Sequence, residues 1–448
     1  MSGRRLLVLL FVLTLPLVSP RLRGADEIEY FAWLRSAAFD RDLDFANEYR
    51  HFYERDPQGL QGFRQTFLEL REPLTGRPIN FGPLGSALLW SPFYLLAHLG
   101  VLVARALGAG VAADGFSLPY VAAACYGSAV WGCAGLLLAH DALRRFFDVS
   151  EPAASWSVAA LWLATPVLYY LTVAPGFSHG CSLFAVALTL WLFLRWREAG
   201  AARWALVGAA GGLAALVREQ DGLFLVAPGL WLLFDLWRRR DLRAALLRGL
   251  ALGLTALAVF APQMLAYRAL NGTFGPSPLV KRKMSWASPH FLEVLFDPAH
   301  GLYLWSPLLL VATLGLWWAW RRRRDSALPC LAAALLLQVW INGAVLSWTQ
   351  AGAFGSRRFV GATFVFALGL AALAERLQAR RALLGAVLGV FVWWNVSLMA
   401  QFGLKLMDRQ GLTWPAVAVN QLTVVPQRLG RTLWLYLTDR EQLLRESR

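Results

Sequence analysis

The sequence predicts an all-α polytopic membrane protein. Of its 448 residues, 57% are hydrophobic and only 16% are charged, well under the roughly one quarter found in soluble domains. Apolar stretches of spanning length recur along almost the whole chain, and Trp and Tyr crowd their ends, where amphipathic rings settle at the headgroup level. These observations predict one helical unit, residues 1–404, of about 11 to 12 spans.

The first candidate span, 5–19, follows Arg4 and Arg5. Its charged start and short apolar core also suit a signal peptide, but the many spans that follow favour a retained helix. Segment 83–106 contains Pro83 and Pro92 and starts beside a polar loop. The remaining candidates are 118–139, 153–173, 181–195, 204–217, 222–237, 249–267, 302–320, 327–347, 359–374 and 382–404.

Arg-rich connections mark the cytoplasmic side: Arg4/Arg5, Arg144/Arg145, Arg195/Arg197/Arg203, the 238–248 cluster, Arg321–Arg324 and Arg376/Arg380/Arg381. Three full crossings before residue 144 would put Arg144 and Arg145 outside. We therefore expect 83–106 to be re-entrant or surface-lying, leaving eleven crossings and an external segment 405–448. The net charge of +15 reads as membrane topology, and the absence of a basic face interleaved with aromatics excludes nucleic-acid binding. The four Cys residues lie inside apolar segments and form neither a disulfide framework nor a metal motif.

This orientation gathers the polar residues on one face. Loop 20–82 holds 11 of the chain's 28 acidic residues. Within it, Asp26–Ala38 reads as a short amphipathic helix whose Tyr30, Phe31, Trp33, Leu34 and Ala37 suit the membrane interface. Asp26 can cap this helix, with Glu29 completing a capping box. Alternatively, Asp26 or Glu27 is a general base for a hydroxyl nucleophile. The two roles can coexist on neighbouring residues.

Further candidates follow. Asp42-Leu43-Asp44 superficially matches a DxD metal signature, which leaves a divalent cation open, and Asp44 and Glu48 are candidate substrate contacts. Arg357 and Arg358, behind the small residues of "AFGS", can clamp a phosphate or snorkel to the interface. Lys281, Arg282 and Lys283 violate the positive-inside trend, for which an anionic lipid phosphate supplies a reason. Arg218, Glu219 and Asp221 would each cost about 2.5–3.5 kcal/mol inside the bilayer, so pairing or ligand contact is expected. His179 and His300 are outer-face polar candidates without metal-ligand spacing.

The stretches "ADEIEYFAWLRSAAFDRDLDFANEY" (25–49), "NFGPLGSALLWSPFY" (80–94), "GLAALVREQDGLFLVAP" (212–228) and "GAFGSRRF" (352–359) resemble the GT-C superfamily of lipid-phosphate-sugar glycosyltransferases. This superfamily includes the protein O-mannosyltransferases and the bacterial aminoarabinose transferases of lipid A. The resemblance spans roughly residues 1–400 and implies a GT-C-like bundle with juxtamembrane helices in its first external loop. It also implies a bacterial inner-membrane location and a site facing the periplasm or exterior. The implied reaction is inverting transfer from a polyprenyl-phosphate-linked sugar to a hydroxyl acceptor, with the family's catalytic Asp falling on Asp26 and Glu27 beside it.

Two departures stand out. "NFGPLG" lacks the His-Pro-Pro found after the first loop in many relatives, and the expected absence of a sizeable soluble C-terminal domain argues against an oligosaccharyltransferase. The rival reading is a transporter or flippase, which would place charge near the bilayer midplane, often within inverted repeats.

Overall fold

The computed structural model describes residues 3–287, 289–323, 325–377 and 380–446. Its helices are α1 (Gly3–Thr14), α2 (Ala25–Arg35), α3 (Ala46–Arg55), α4 (Gly85–Ala106), α5 (Leu118–Phe146), α6 (Glu151–Leu163), α7 (Pro166–Thr172), α8 (His179–Trp196), α9 (Ala201–Val217), α10 (Val226–Arg239) and α11 (Leu242–Asn271). They continue as α12 (Pro278–Lys281), α13 (Phe291–Phe296), α14 (Leu302–Trp305), α15 (Pro307–Arg323), α16 (Ala327–Gly343), α17 (Thr363–Arg376), α18 (Arg381–Gly403), α19 (Ala416–Leu422), α20 (Val424–Thr438) and α21 (Arg440–Glu446). Every expected span falls on a helix or on two consecutive helices, and no strand forms among the described residues.

Among the described residues, six helices are long and apolar enough to cross a membrane by themselves, or seven if the bent pair α6–α7 counts as one span. The other expected spans fall on shorter helices such as α9 and α16. The chain is a multi-pass membrane protein. The α6–α7 pair bends by 67°, where Asn395 donates to the carbonyls of Leu163 and Thr165 at 2.8 and 3.0 Å. Such a bend frees backbone groups that a neighbouring helix must satisfy.

Glycine lets several helices approach closely, as expected where apolar lipid provides no hydrophobic drive between helices. A Cβ on Gly208 of α9 would lie 2.2 Å from the Leu252 carbonyl oxygen of α11. One on Gly369 of α17 would lie 1.9 Å from that of Ala312 in α15.

The first third of the chain explains why the Arg-rich connections share one end. The Gly3 amide donates to Glu151 at 2.5 Å, and Arg144 pairs with the same carboxylate at 2.9 Å, so the start of α1 and the end of α5 coincide. Helix α4 is one unbroken helix through Pro92, not a re-entrant turn. It runs antiparallel to the first half of α5: Trp131 donates to the Leu89 carbonyl, Trp90 to Ser128, and His98 meets Tyr120. Its C-terminus therefore points away from the Arg144 end, and the chain enters α5 without having returned to that end.

The amphipathic reading of α2 is corrected. Residues Glu27 to Leu34 are all buried, so α2 turns no apolar face outward. It is wedged between the bundle and its own loop, with Ile28, Phe31 and Ala32 fully enclosed. The Trp33 indole donates to the Gly82 carbonyl at 2.7 Å and the Tyr49 hydroxyl to that of Ile79 at 2.9 Å, folding the loop back over the helix.

Candidate active site

The cap of α2 decides which acid is free. Gly24 stands at the N-cap, and the Glu27 carboxylate accepts the backbone N–H groups of Arg23 and Gly24 at 2.6 and 2.7 Å. The expected Asp26/Glu29 capping box is thus replaced by Gly24/Glu27, because a Glu at N3 reaches back to the donors that a helix start leaves unpaired. Burial pushes Glu27 up to about 7, and its role here is to fix the start of the helix. Glu29 is also buried and accepts from the Phe81 amide, and burial together with the charge of Asp26 pushes it up to about 8.

Asp26 alone of these three acids turns outward. Its carboxylate is part-exposed and lies 3.1 Å from the Arg357 guanidinium, whose side chain is 16% exposed. Arg357 also stacks over the Phe177 ring at 4.8 Å. Residues separated by most of the chain thereby meet.

The loop carrying Arg357 is held by several independent contacts. Gly355 has φ +59°, and a Cβ there would strike Pro166 at 2.6 Å, so the position demands glycine. The Tyr170 hydroxyl donates to the Phe354 carbonyl at 3.1 Å, and the Gln350 amide to the Ser356 hydroxyl at 3.1 Å. His300 sits between the carbonyls of Ala299 and Ala353 and stacks on Trp305, a role in shaping this loop.

Around Arg357 lies a cationic cluster. Arg218 follows α9 directly, at the break before the 3₁₀ turn Glu219–Leu225, and donates to the Ser178 hydroxyl at 3.0 Å. Ser178 in turn lies 3.3 Å from the Tyr30 hydroxyl of α2. Arg358 donates to Ser347 at 3.3 Å, and its carbonyl accepts from Gln220. His179 is buried beside Tyr170 and Phe177, within electrostatic reach of Arg218, Arg357 and Arg358. Of the other acids of the 218–221 stretch, Asp221 accepts from Ser182 and Glu219 from Tyr267.

Three nitrogen atoms of this cluster are buried without a hydrogen-bond partner: Arg218 Nε, Arg358 Nη1 and His179 Nε2. Buried N–H groups are costly to leave unmade. Guanidinium groups in a fork suit a phosphate bidentately, so the arrangement fits an anionic group beside an exposed carboxylate.

Two predicted substrate contacts, Glu48 and Asp44, have partners within the first loop and α2. Glu48 is buried and paired with Arg35 at 3.0 Å, and burial pushes it up to about 7. Asp44 accepts the Ala46 amide, and Asp42 accepts the Ser36 hydroxyl and the Asp44 amide. These acids organise the turn at the Arg35 end of α2, nine residues and about 13 Å from Asp26 at 1.5 Å per residue. No group of three or more His, Cys, Asp or Glu placed to hold a metal occurs among the described residues.

Of the basic triplet, Arg282 is exposed. Lys283 lies 5.1 Å from the Phe81 ring centroid and acts on the Glu29 carboxyl, on the side of α2 reached through Glu29. Lys281 ends α12, and its side chain is outside the described set. Sequence reasoning missed Ser178, Tyr30, Gln220 and Gln350. Neutral hydroxyls and amides in short loops carry no signal before the chain is folded.

Residues 116–265 match the family model of dolichyl-phosphate-mannose-protein mannosyltransferases. Comparison with curated protein sequences gives no match. Among solved structures, ArnT from Cupriavidus metallidurans bound to undecaprenyl phosphate is similar over 98% of this chain and 77% of its own, with TM-score 0.51 and 17% identity. An oligosaccharyltransferase from Archaeoglobus fulgidus is similar over 98% of this chain and 58% of its own, with TM-score 0.50 and 13% identity. The fold is the GT-C fold.

Proposed function

We propose that this chain, a glycosyltransferase of the GT-C type by family match and architecture, moves a sugar from a polyprenyl-phosphate-linked donor to a hydroxyl acceptor. The observation that carries the reading is the meeting of part-exposed Asp26 with an arginine cluster in which Arg218 Nε and Arg358 Nη1 are buried without partners. The likeness to a structure bound to undecaprenyl phosphate supports the same class of donor.

In this reading Arg218, Arg357, Arg358 and His179 surround the donor phosphate. The acceptor oxygen attacks the anomeric carbon while the bond to the phosphate oxygen breaks, and the departing polyprenyl phosphate keeps that electron pair. Asp26 takes the hydroxyl proton. Phosphate departs readily when preorganised donors meet its developing charge in a partly dry cavity. A lipid-borne donor suits a site at the external face of a bacterial inner membrane, because the lipid carries activation across.

Charge gathered at one end of the bundle favours this reading over a transporter with midplane sites. The test is Asp26→Asn in a transfer assay from labelled lipid-linked sugar, with lipid-phosphate binding measured alongside. Loss of about 10²–10⁴ in rate with binding retained supports the assignment, and undiminished transfer refutes it.

A further inference from the structure

Helix α20 presents three faces. Val425 and Leu435 are buried against the protein. Gln427, Arg428 and Arg431 are exposed. Between these runs a third, apolar face: Val419 and Leu422 of α19 lead into Pro426, Leu433 and Leu437, with Trp434 beside them, all exposed. Leu422 is 77% and Trp434 66% exposed. The stretch 416–438 contains two Arg and neither Asp nor Glu.

The position of α20 is fixed by the end of α1. The Tyr436 hydroxyl donates to the Leu17 carbonyl at 2.9 Å, and Arg440, just past α20, donates to those of Val18 and Pro16, also at 2.9 Å each. Arg21 pairs with Glu441 at 3.1 Å. These carbonyls close the short turn after α1, whose last residues include exposed Val12 and Leu13. Leu13 and Leu17 are four residues apart and so within about 14 Å. A helix docked on residues 16–18 therefore sits where the apolar surface of α1 gives way to the headgroups.

We propose that α19–α20 is an interfacial anchor lying in the lipid leaflet on the Asp26 side of the bundle, with Leu422, Leu433, Trp434 and Leu437 inserted among the acyl chains. A lipid surface is the occupant because the stripe continues the exposed apolar surface of α1. The flanking, exposed Arg428, with no acid between residues 416 and 438, complements anionic headgroups. By gripping residues 16–18, the anchor sets the membrane depth of the segment that enters α2 and carries Asp26.

The full chain in nanodiscs of mixed zwitterionic and anionic lipid provides the test. All four native cysteines are buried, so a nitroxide attaches to Leu433→Cys or Arg428→Cys, and collision with oxygen against a water-soluble nickel chelate reports depth. The Leu433 label is expected about 5–10 Å below the lipid phosphates and the Arg428 label at or above them. Arg440→Ala should shift the Leu433 label toward water. Equal nickel accessibility at both positions overturns the proposal. So does protection of Leu433 from both reagents together with spin–spin broadening, which would mean that a second copy covers the stripe.

Discussion

Asp26, at the start of α2, and Arg357, 331 positions later in sequence, form an ion pair at 3.1 Å in which only the acid is substantially exposed. The pair joins the one outward-facing carboxylate of α2 to a cluster whose other guanidinium groups hold unpaired N–H donors.

Removing one of those donors should weaken the grip on phosphate. Arg218→Gln and Arg358→Gln are each expected to cost about 1.5–3 kcal/mol of lipid-phosphate affinity, the range for hydrogen bonds to charged groups. Binding of undecaprenyl phosphate to the detergent-solubilised variants checks this.

Glu48 and Asp44 should behave as structural acids. Glu48→Ala breaks a buried pair with Arg35 and is expected to destabilise the fold by about 3–5 kcal/mol with unchanged KM in the surviving fraction. Asp44→Asn, in a more exposed turn, should change stability by about 0.5 kcal/mol or less. Thermal melting with transfer kinetics distinguishes these effects from a substrate contact.

The pH dependence of stability follows from Glu27 and Glu29. Folded, they hold their protons to about 7 and about 8; unfolded, they release them near 4.5. Between these limits the folded state binds more protons at these two sites, so the stability they contribute is fully present below about pH 4.5 and is lost as pH rises toward 8. Glu27→Gln and Glu29→Gln keep an acceptor for the backbone donors and should flatten that decline. Melting temperatures from pH 5 to pH 8 measure it.

Gly355→Ala tests the loop that carries Arg357 and Arg358. The left-handed backbone costs about 1–2 kcal/mol for a residue with a Cβ, and Pro166 occupies the space. Loss of lipid-phosphate affinity with helix content preserved is expected, read by binding and circular dichroism.

The helices were legible because apolar length and terminal aromatics are local signals; the parity of the Arg-rich connections set 83–106 apart, and the folded chain shows it as one unbroken helix. The packing of α2 was not legible. An acidic loop reads alike whether its carboxylates cap a helix, as Glu27 does, pair with an arginine in the interior, as Glu48 does, or stay part-exposed beside one, as Asp26 does. In the sequence Arg358 stood with Arg357 as a phosphate clamp, Arg218 with Glu219 and Asp221, and His179 by itself. Their convergence depends on the break between α9 and α10 and on the loop pinned by Gln350 and His300, which only the folded chain reveals.

The most direct measurement is a structure of the chain with undecaprenyl phosphate bound. The phosphate is predicted at about 3 Å from Arg218 Nε, Arg358 Nη1 and His179 Nε2, with Asp26 facing the oxygen that would carry the sugar. A phosphate resting away from this cluster, with those three atoms still unpartnered, would contradict the account.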